Sequence, residues 1–537
     1  MFKLRRFLKD YKKECIIGPL CKLFEAILEL FVPMVMADII DVGVKNGDGD
    51  YVLKMGVVMV MLGVVGLLSA LVCQYLASRA SQGVGTKIRR ELFAHINSLS
   101  HAELDKIGTP SLITRITNDV NQVQQSVAMG IRLLTRAPFI VIGALIMSMT
   151  INLKMSIIFF TAAVLIGITL YLIMTKSIPI YSSIQKKLDK IGLISRENLS
   201  GNRVIRAFSK QKSEKERIDS ATEELSKTSV RVSRLSALLS PVTYAVTDIA
   251  IIAIIWSGAI NVNNGTGMLS GDIIALINYM TQILLAMIVV ANLVILLTKA
   301  SARAQRINEV FETQPSVVEK NHDEITVSKN NTTPKVEFNN VTFTYGDGDD
   351  ELSDISFKIM HGQTIGIIGG TGSGKSTLIN LIPRYYDVKN GSVTVDDVNV
   401  KDYPFVQLRS QIGIVPQQSI LFSGTIRENM KWQNKDATDE DIISALKTAQ
   451  AYEFVSKLKN GLNSYVEQGG KNFSGGQRQR LCIARAIVGN PELLILDDSF
   501  SALDFATDAA LRKALKQSTT DMTVIIVTQR CSTIKNA

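Results

Sequence analysis

The sequence predicts an α-helical membrane domain of six spans with long cytoplasmic helical extensions, fused to an α/β P-loop domain. The first three hundred of its 537 residues contain six apolar stretches, and a spanning helix needs about 20 mostly apolar residues. In the last two hundred, β-branched runs alternate with helical patterns, as in α/β folds. The chain is 46% hydrophobic yet carries a formal charge of +10. This combination favours a membrane protein with basic cytoplasmic faces over a nucleic-acid-binding protein, so we expect no nucleic-acid partner.

The apolar stretches and the charges between them predict the topology. The six spans are expected near residues 15–44, 51–79, 132–151, 155–175, 238–262 and 273–298. The short connections are almost free of Lys and Arg, whereas stretches 80–136 and 176–235 are rich in both. The positive-inside rule therefore places these long stretches and both chain ends in the cytoplasm of a multi-pass membrane protein.

The long cytoplasmic stretches show helical periodicity, so we expect the spanning helices to continue well below the bilayer. An extension of about 28 residues reaches roughly 40 Å. After the first extension, Thr109 and Pro110 fit the N-cap and the first position of a short transverse helix. Such a helix at the tip of a hairpin is a candidate for docking onto another domain. A plain helical hairpin is the alternative.

Four ionisable residues lie within the predicted spans. Lys22, Glu25 and Glu29 share one helix face in the first span, and Asp248 lies in the fifth. Ionisable groups at membrane depth normally face a bundle interior or a watery cavity. These carboxylates either attract cationic amphiphiles or have a structural role. In the structural role, a Lys–Glu pair joins neighbouring helices, or the residues lie near the cytoplasmic end of a helix that bends out. We favour the structural role.

Composition divides the chain into three parts. A polar segment interrupts the pattern between the last apolar stretch and the first β-branched run. We therefore predict a membrane domain over residues 1–313, a linker over 314–335 and an α/β domain over 336–537.

A P-loop motif opens the chemistry of the α/β domain. The stretch "IGIIGGTGSGKSTLINL" matches G-x-x-x-x-G-K-[ST], follows an apolar strand and begins a helix, which is the context that the motif requires. Its glycines allow backbone N–H groups to approach phosphate oxygens at a helix N-terminus. The predicted nucleotide-binding residues here are Gly369, Gly370, Thr371, Gly372, Ser373, Gly374, Lys375, Ser376 and Thr377. Lys375 is expected to reach the β- and γ-phosphates, and Ser376 to bind Mg²⁺.

Three further residues complete the predicted site. Asp497 follows an apolar strand and is expected to hold Mg²⁺ through water. Tyr345, in "VTFTY", lies upstream of the P-loop and is expected to stack on adenine, although an aromatic residue in a strand also serves packing. Gln417, in "IVPQQ", is expected to bridge Mg²⁺ and the attacking water.

A second anion site lies about a hundred residues after the P-loop. In "NFSGGQRQRLCIARAI" a serine and two glycines open a helix, whose N–H groups favour an anion. One nucleotide needs only one phosphate cradle, so this site is expected to serve a nucleotide held by another subunit. Its residues are Ser474, Gly475, Gly476 and Gln477.

The order of these motifs resembles the ABC transporter family. P-loop, glutamine loop, SGGQ signature, apolar-Asp strand, "SALD" and "VTQR" look like its nucleotide-binding domain, with a RecA-like core and a helical subdomain. The spans, with "LDKIGTPSLITRITNDVNQVQ" and "ENLSGNRVIRAFSKQ", resemble the membrane domain and coupling segments of bacterial, multidrug-like exporters. The resemblance implies ATP and Mg²⁺ as cofactors, a bacterial inner-membrane location and a cytoplasmic nucleotide-binding domain. It also implies two halves that sandwich ATP between the P-loop of one and the signature of the other.

Two residues depart from the family pattern. The usual catalytic Glu is Asp498, and the usual switch His is Gln529. Losing a methylene retracts the carboxylate by about 1.5 Å, and errors near 1 Å can cost about 10²-fold in rate. Glutamine carries no proton, and positioned acid–base chemistry contributes about 10²–10⁴-fold. With an intact signature, the chain resembles the degenerate-site subunit of a heterodimeric exporter, whose partner supplies the Glu and the His.

Two alternatives to the heterodimeric exporter are compatible with the sequence. The chain is also compatible with a homodimeric exporter in which both replacements are tolerated, or with a catalytically silent nucleotide-sensing regulator. Drugs, amphiphiles, lipids and peptides are all candidate substrates. Family members continue beyond "VTQRCSTIKNA", so we expect the domain to lack its C-terminal end, as a truncated chain or a gene fragment.

Overall fold

The computed structural model describes residues 2–264, 267–319, 325, 333–346, 348–518 and 522–529. Two units divide the chain. Met1–Ala94 and Pro110–Glu312 form the first, and His95–Thr109 with Thr313–Ala537 form the second. Most of the predicted linker lies outside the described residues. The residues after Gln529, from which the domain is expected to lack its C-terminal end, lie outside them too.

The first unit is helical. It begins with a 3₁₀ helix over Phe2–Tyr11, and short π-helical turns over Ile39–Val44 and Arg115–Asp119 follow the first and fourth α-helices. The helices up to residue 312 are, in chain order, α1 (Lys12–Asp38), α2 (Gly49–Ser98), α3 (His101–Ile107), α4 (Thr109–Thr114), α5 (Val120–Leu133), α6 (Arg136–Ile151), α7 (Leu153–Ser200), α8 (Asn202–Ala207), α9 (Gln211–Ala237), α10 (Leu239–Asn263) and α11 (Ser270–Glu312).

Within the described residues, five helical stretches are long and apolar enough to cross a membrane. They are Gly49–Ser98, Thr109–Ile151, Leu153–Ser200, Gln211–Asn263 and Ser270–Glu312. The lengths of α2 and α7, 50 and 48 residues, exceed what a bilayer needs and agree with the expected extensions. Helix α1 is not among them, because every 18-residue stretch of it contains at least three charged residues. The predicted count of six spans is therefore not confirmed.

Three charged residues in the middle of α1, Lys22, Glu25 and Glu29, are paired. Lys22 donates to Glu25 one turn away, at 2.6 Å, and Arg136 of α6 donates to Glu29, also at 2.6 Å. The predicted Lys–Glu pair exists but lies within α1 rather than between helices, and the ion pair that joins two helices is that of Arg136 with Glu29. Asp248 is exposed in the isolated chain.

The described residues of the second unit form three sheets. The strands are β1 (Pro334–Phe343), β2 (Leu352–Met360), β3 (Thr364–Ile368), β4 (Asn390–Val395), β5 (Val398–Asn399), β6 (Ile412–Val415), β7 (Gly424–Thr425), β8 (Tyr465–Val466), β9 (Leu493–Asp497) and β10 (Thr523–Thr528). One sheet is antiparallel with the order β2-β1-β4-β5, the second is parallel with the order β3-β10-β9-β6, and β7 pairs with β8.

Short helices surround these sheets. They are α12 (Lys375–Asn380), α13 (Phe405–Ser410), α14 (Ile426–Met430), α15 (Asp439–Thr448), α16 (Tyr452–Ser456), α17 (Gly475–Ile487) and α18 (Phe505–Ser518). Every residue of β9 and β10 is buried, since a parallel sheet is covered on both faces and reads as a continuous apolar run. The carboxyl ends of its four parallel strands meet at one edge, where ligands bind in open α/β sheets.

Residues 95–109 belong to the second unit rather than the first. Helix α3 begins with a capping box between Ser100 and Glu103. The Ser100 hydroxyl also accepts a hydrogen bond from the backbone N–H of Val317, at 2.9 Å. The ring of His101 stacks on Tyr385, with the centroids 4.5 Å apart. The docking helix is thus α3, immediately before the transverse helix predicted from Thr109 and Pro110.

Candidate functional site

The carboxyl edge of the parallel sheet collects most of the predicted site residues. The P-loop follows β3, and Gln529 follows β10. Asp497 ends β9, with Asp498 next, and Gln417 follows β6, the neighbour of β9. Residues far apart in the sequence therefore meet because parallel strands present their carboxyl ends together.

The P-loop requires glycine at two positions. Gly372 and Gly374 both have φ of +79°, a conformation that side chains disfavour. A Cβ at Gly374 would also lie 2.8 Å from Cδ2 of Leu352. The ammonium of Lys375 donates to the carbonyls of Gly369 and Gly370, at 2.9 and 2.5 Å. The lysine thus lies over its own loop, with its charge where phosphate oxygens are expected.

Ser376 and Asp497 form a pair of oxygen donors. The serine hydroxyl donates to Oδ2 of Asp497 at 2.8 Å. Burial raises the pKa of the Asp497 carboxyl and the charge of Asp498 adds to the rise, while the bond from Ser376 and the charge of Lys375 oppose it. A hydroxyl and a carboxylate held side by side fit Mg²⁺, which prefers hard oxygen ligands.

The backbone of Asp498 is fixed from three directions. Its φ is +46°, in the left-handed region. Its N–H donates to the carbonyl of Val527 at 2.9 Å. Its carbonyl accepts from the side chains of Gln479, at 3.2 Å, and Ser501, at 2.9 Å. The reach of the Asp498 carboxylate into the site is therefore set by the length of its own side chain.

Gln529 and Gln417 are both exposed at this edge. Gln529 lies beside the P-loop, where its Oε1 accepts a long hydrogen bond of 3.5 Å from the hydroxyl of Thr371. Gln417 is placed only by its position after β6. A hydrogen bond thus places Gln529 at the P-loop, whereas only the strand order places Gln417 at this edge of the sheet.

Tyr345 lies against the first turn of α12. Its hydroxyl donates to Oγ1 of Thr377 at 3.1 Å. The residue is 43% exposed, and its ring meets those of Phe343 and Tyr386 edge-on, with centroids 4.8 and 5.2 Å away. These contacts fix the ring beside the P-loop helix and leave part of it open for a flat ligand.

The signature residues form a helix start. Ser474 is the N-cap of α17, and its hydroxyl and backbone exchange hydrogen bonds with Gln477 in a capping box. Ser474 and Gly475 are exposed. Phe473, just before them, is buried in the apolar core around α17. The first turn of α17 is thus open to a ligand that comes from outside.

Two contributors were missed by the sequence analysis. Gln479, one turn into α17, is buried and bonds the carbonyl of Asp498 and the N–H of Ala502. It ties the signature helix to the turn after β9, and helical spacing from Gly475 was the available signal. Tyr386 packs against Tyr345, and no sequence pattern pointed to that contact.

Comparison with known proteins defines the class. Residues 15–287 match the ABC transporter transmembrane region, and residues 352–501 match the ABC transporter domain. The chain belongs to the ABC transporter family. It is a half-transporter of the exporter type, with one helical membrane domain fused to one ATP-binding domain, and a multi-pass membrane protein.

Several relatives match over nearly their whole length. The chain is 37% identical to an uncharacterized ABC transporter ATP-binding protein of Mycobacterium tuberculosis, over 99% of this chain and 92% of that protein. It is 28% identical to an ATP-dependent lipid A-core flippase of Vibrio parahaemolyticus, over 100% and 91%. A solved bacterial Atm1-family ABC exporter with ATP bound has the same fold, with a TM-score of 0.78 and 21% identity over 99% of this chain and 92% of that one.

Proposed function

We propose that this chain is one subunit of a heterodimeric, ATP-driven exporter in a bacterial inner membrane. In this proposal it binds ATP at a degenerate site of its own and supplies its signature to the hydrolytic site of a partner. That partner is a second half-transporter with Glu and His where this chain has Asp498 and Gln529.

The residues at the carboxyl edge have distinct tasks in binding ATP. Backbone N–H groups of loop 369–374 and the ammonium of Lys375 hold the phosphates, because a helix N-terminus and a cation both favour negative charge. Tyr345 stacks on the adenine ring. Ser376, Asp497 and Gln417 supply oxygens for Mg²⁺, which neutralises phosphate charge when bound.

The observation that carries the degenerate site is the fixed backbone of Asp498. Its N–H and its carbonyl are both hydrogen-bonded within the sheet and to α17. A backbone shift that restores the missing methylene would break these bonds, so the attacking water is held poorly. Gln529 reaches the P-loop but has no titratable proton to offer. Both effects lower hydrolysis while leaving ATP binding intact.

The signature is proposed to serve the partner's ATP. Its exposed N–H groups at the start of α17 form an anion site. Ser474 bonds to Gln477 in its own helix turn, which presents the hydroxyl and the N–H groups together. Lipids are among the proposed substrates, beside drugs, other amphiphiles and peptides, and the likeness to a lipid A-core flippase supports including them.

The test restores the family residues in the full chain, purified alone in lipid nanodiscs. We expect the native chain to bind Mg-ATP and to hydrolyse it slowly. The double variant Asp498→Glu with Gln529→His is expected to hydrolyse about 10²-fold faster, because each change returns a positioned catalytic group.

The same double variant with Lys375→Ala added is the control, and it should lose the gain along with ATP binding. If the native chain alone hydrolyses ATP as fast as the double variant, the degenerate-site proposal is wrong and a homodimeric exporter replaces it. ATP binding without any vectorial transport by the native complex would favour the sensing regulator.

A further inference from the structure

A cavity lies beneath the 3₁₀ helix that begins the first unit, which we call the entry helix (Phe2–Tyr11). Its volume is about 280 Å³, and it lies between the entry helix, α2 and α5, all in the first unit. One of its lining residues is an arginine and the others are apolar: Leu4, Arg5, Leu8, Val84, Ile88, Val123 and Val127. Protein interiors contain few voids larger than a water molecule, and apolar cavities of this size commonly bind ligands.

The entry helix presents a cation to this cavity. In a 3₁₀ helix, side chains three positions apart share a row. Leu4 and Phe7 form a buried row, and Arg5 with Leu8 forms the row along the cavity. Because Arg5 is exposed although it lines the cavity, its stem covers the apolar wall and its guanidinium lies at the mouth. The third row is basic and exposed, and consists of Lys3, Arg6 and Lys9.

The charge of Arg5 is not neutralised within the described part of the chain. In the basic row, Lys3 pairs with Glu312, and Arg6 pairs with Glu91 at 3.6 Å. Among the described residues, Arg5 has no such acidic partner. A cation beside an apolar cavity favours a ligand that carries both a negative group and an apolar chain.

The cavity lies at the level where two apolar stretches end. The hydroxyl of Tyr11, at the end of the entry helix, lies against Gly83 of α2, and Val84 of the cavity wall is the next residue. Gly83 comes shortly after the apolar stretch 51–79, and the apolar stretch 15–44 begins soon after Tyr11. The positive-inside rule places this end in the cytoplasm. An amphipathic helix with basic residues on its polar face lies there among the lipid headgroups.

We propose that this cavity binds one acyl chain of an anionic phospholipid from the cytoplasmic leaflet, and that Arg5 binds the phosphate of its headgroup. The apolar walls fit the chain, and a guanidinium can make two parallel hydrogen bonds to a phosphate. The cytoplasmic leaflet is negatively charged, and basic residues beside the membrane attract its lipids. The bound lipid fastens the entry helix to α2 and α5. This binding site is separate from the ATP site and does not depend on the proposed heterodimer.

The experiment is photolabelling of the full chain in phosphatidylcholine nanodiscs that contain a small fraction of phosphatidylglycerol with a diazirine on one acyl chain. We expect label on residues 84–88 of α2, about fivefold more than from phosphatidylcholine with the same diazirine, because Arg5 attracts the anionic headgroup. Arg5→Gln should abolish this preference for phosphatidylglycerol. Val127→Phe fills the cavity, so it should reduce the labelling of residues 84–88 by either lipid several-fold.

Lys9→Gln is the matched control, since it removes one charge from the basic row of the same helix and leaves the cavity unchanged. It should keep both the labelling and the preference. Glycerol phosphate carries the charge without the chains and should not compete, which distinguishes a lipid from a free phosphate ester.

Two results would overturn the proposal. If Lys9→Gln loses the preference as fully as Arg5→Gln does, anionic lipids are attracted only diffusely by a basic surface. If Val127→Phe leaves the labelling of residues 84–88 unchanged, the acyl chain does not enter the cavity. Competition by glycerol phosphate would likewise contradict a site built for a chain.

Discussion

The histidine at the start of α3 is stacked on Tyr385, and burial lowers the pKa of its imidazole below the ordinary value of 6.5. Arg409 lowers this pKa further, whereas Asp105 opposes the shift. As the pH falls, His101 therefore takes up a proton at a higher pH when α3 is undocked than when it is docked. The docking of α3 should be fully stable above pH 6.5 and should weaken as the pH falls through the lowered pKa.

Amide exchange of residues 95–109, corrected for the intrinsic effect of pH, measures this loss. His101→Phe keeps a flat ring on Tyr385 but cannot be protonated, so its protection should not change over the same pH range. Equal acid sensitivity in the native chain and the variant would show that another group controls the docking.

Local motifs were the part of the site that the sequence could predict. The P-loop is a run of eight residues whose glycines, lysine and serine act together, so the pattern carries its own geometry. The contact between Tyr386 and Asp105 joins residues 281 positions apart. Only the docking of α3 onto the α/β unit brings them together, and no local periodicity encodes that.

At the scale of the element, a buried lysine ties the antiparallel sheet to the parallel one. Lys335, in β1, is fully buried and donates to Asp396 at 2.7 Å, after β4, and to Glu492 at 2.6 Å, just before β9. Gln411, just before β6, accepts a third bond at 3.1 Å. The ammonium thus lies at the amino-terminal ends of β6 and β9, opposite the edge of the candidate site.

Lys335→Met should destabilise the second unit by about 3–5 kcal/mol, because it leaves the buried carboxylate of Asp396 without this cation. Urea unfolding followed by the fluorescence of Trp432 measures the change, in a Trp256→Phe background that removes the other of the two tryptophans. Lys358→Met is the control, since the Lys358 side chain is 62% exposed in its ion pair with Glu337, and such a pair contributes about 0–1 kcal/mol. If both variants lose similar free energies of unfolding, the buried hydrogen bonds of Lys335 stabilise the unit no more than the ion pair of Lys358 does.

Predicted elements succeeded where a periodic or apolar run was long. Strand β9, read from "LLILD", is buried throughout, and the long helices α2 and α7 continue beyond bilayer length. Helix α1 is harder to assign, because Lys22 and Glu25 break its apolar run and are neutralised only by pairing. The partner of Glu29 is Arg136, on another helix, and one-dimensional patterns do not choose between such partners.

For the whole molecule, the family and the fold followed from motif order, because the P-loop, the signature and the spans are each recognisable alone. The asymmetry of the proposed dimer does not follow from motif order. It depends on two side chains, Asp498 and Gln529, and on a signature that we propose to serve a nucleotide in another subunit. If the dimer is the proposed one, its two ATP sites are chemically unequal, and variants of this chain should affect them unequally.

The complex co-purified with this chain from its native host tests that inequality. Ser474→Ala should reduce ATPase activity by about 10²-fold, since it removes a donor to the partner's hydrolysed phosphate. Lys375→Ala should weaken ATP binding at the degenerate site and lower ATPase activity only a few-fold.

Ser456→Ala is the control, because Ser456 is an exposed serine in α16. It removes a hydroxyl in the neighbourhood of the signature helix and should leave the rate unchanged. If Lys375→Ala abolishes hydrolysis while Ser474→Ala spares it, the roles of the two sites are reversed, because the productive ATP would then be the one held by this chain's own P-loop.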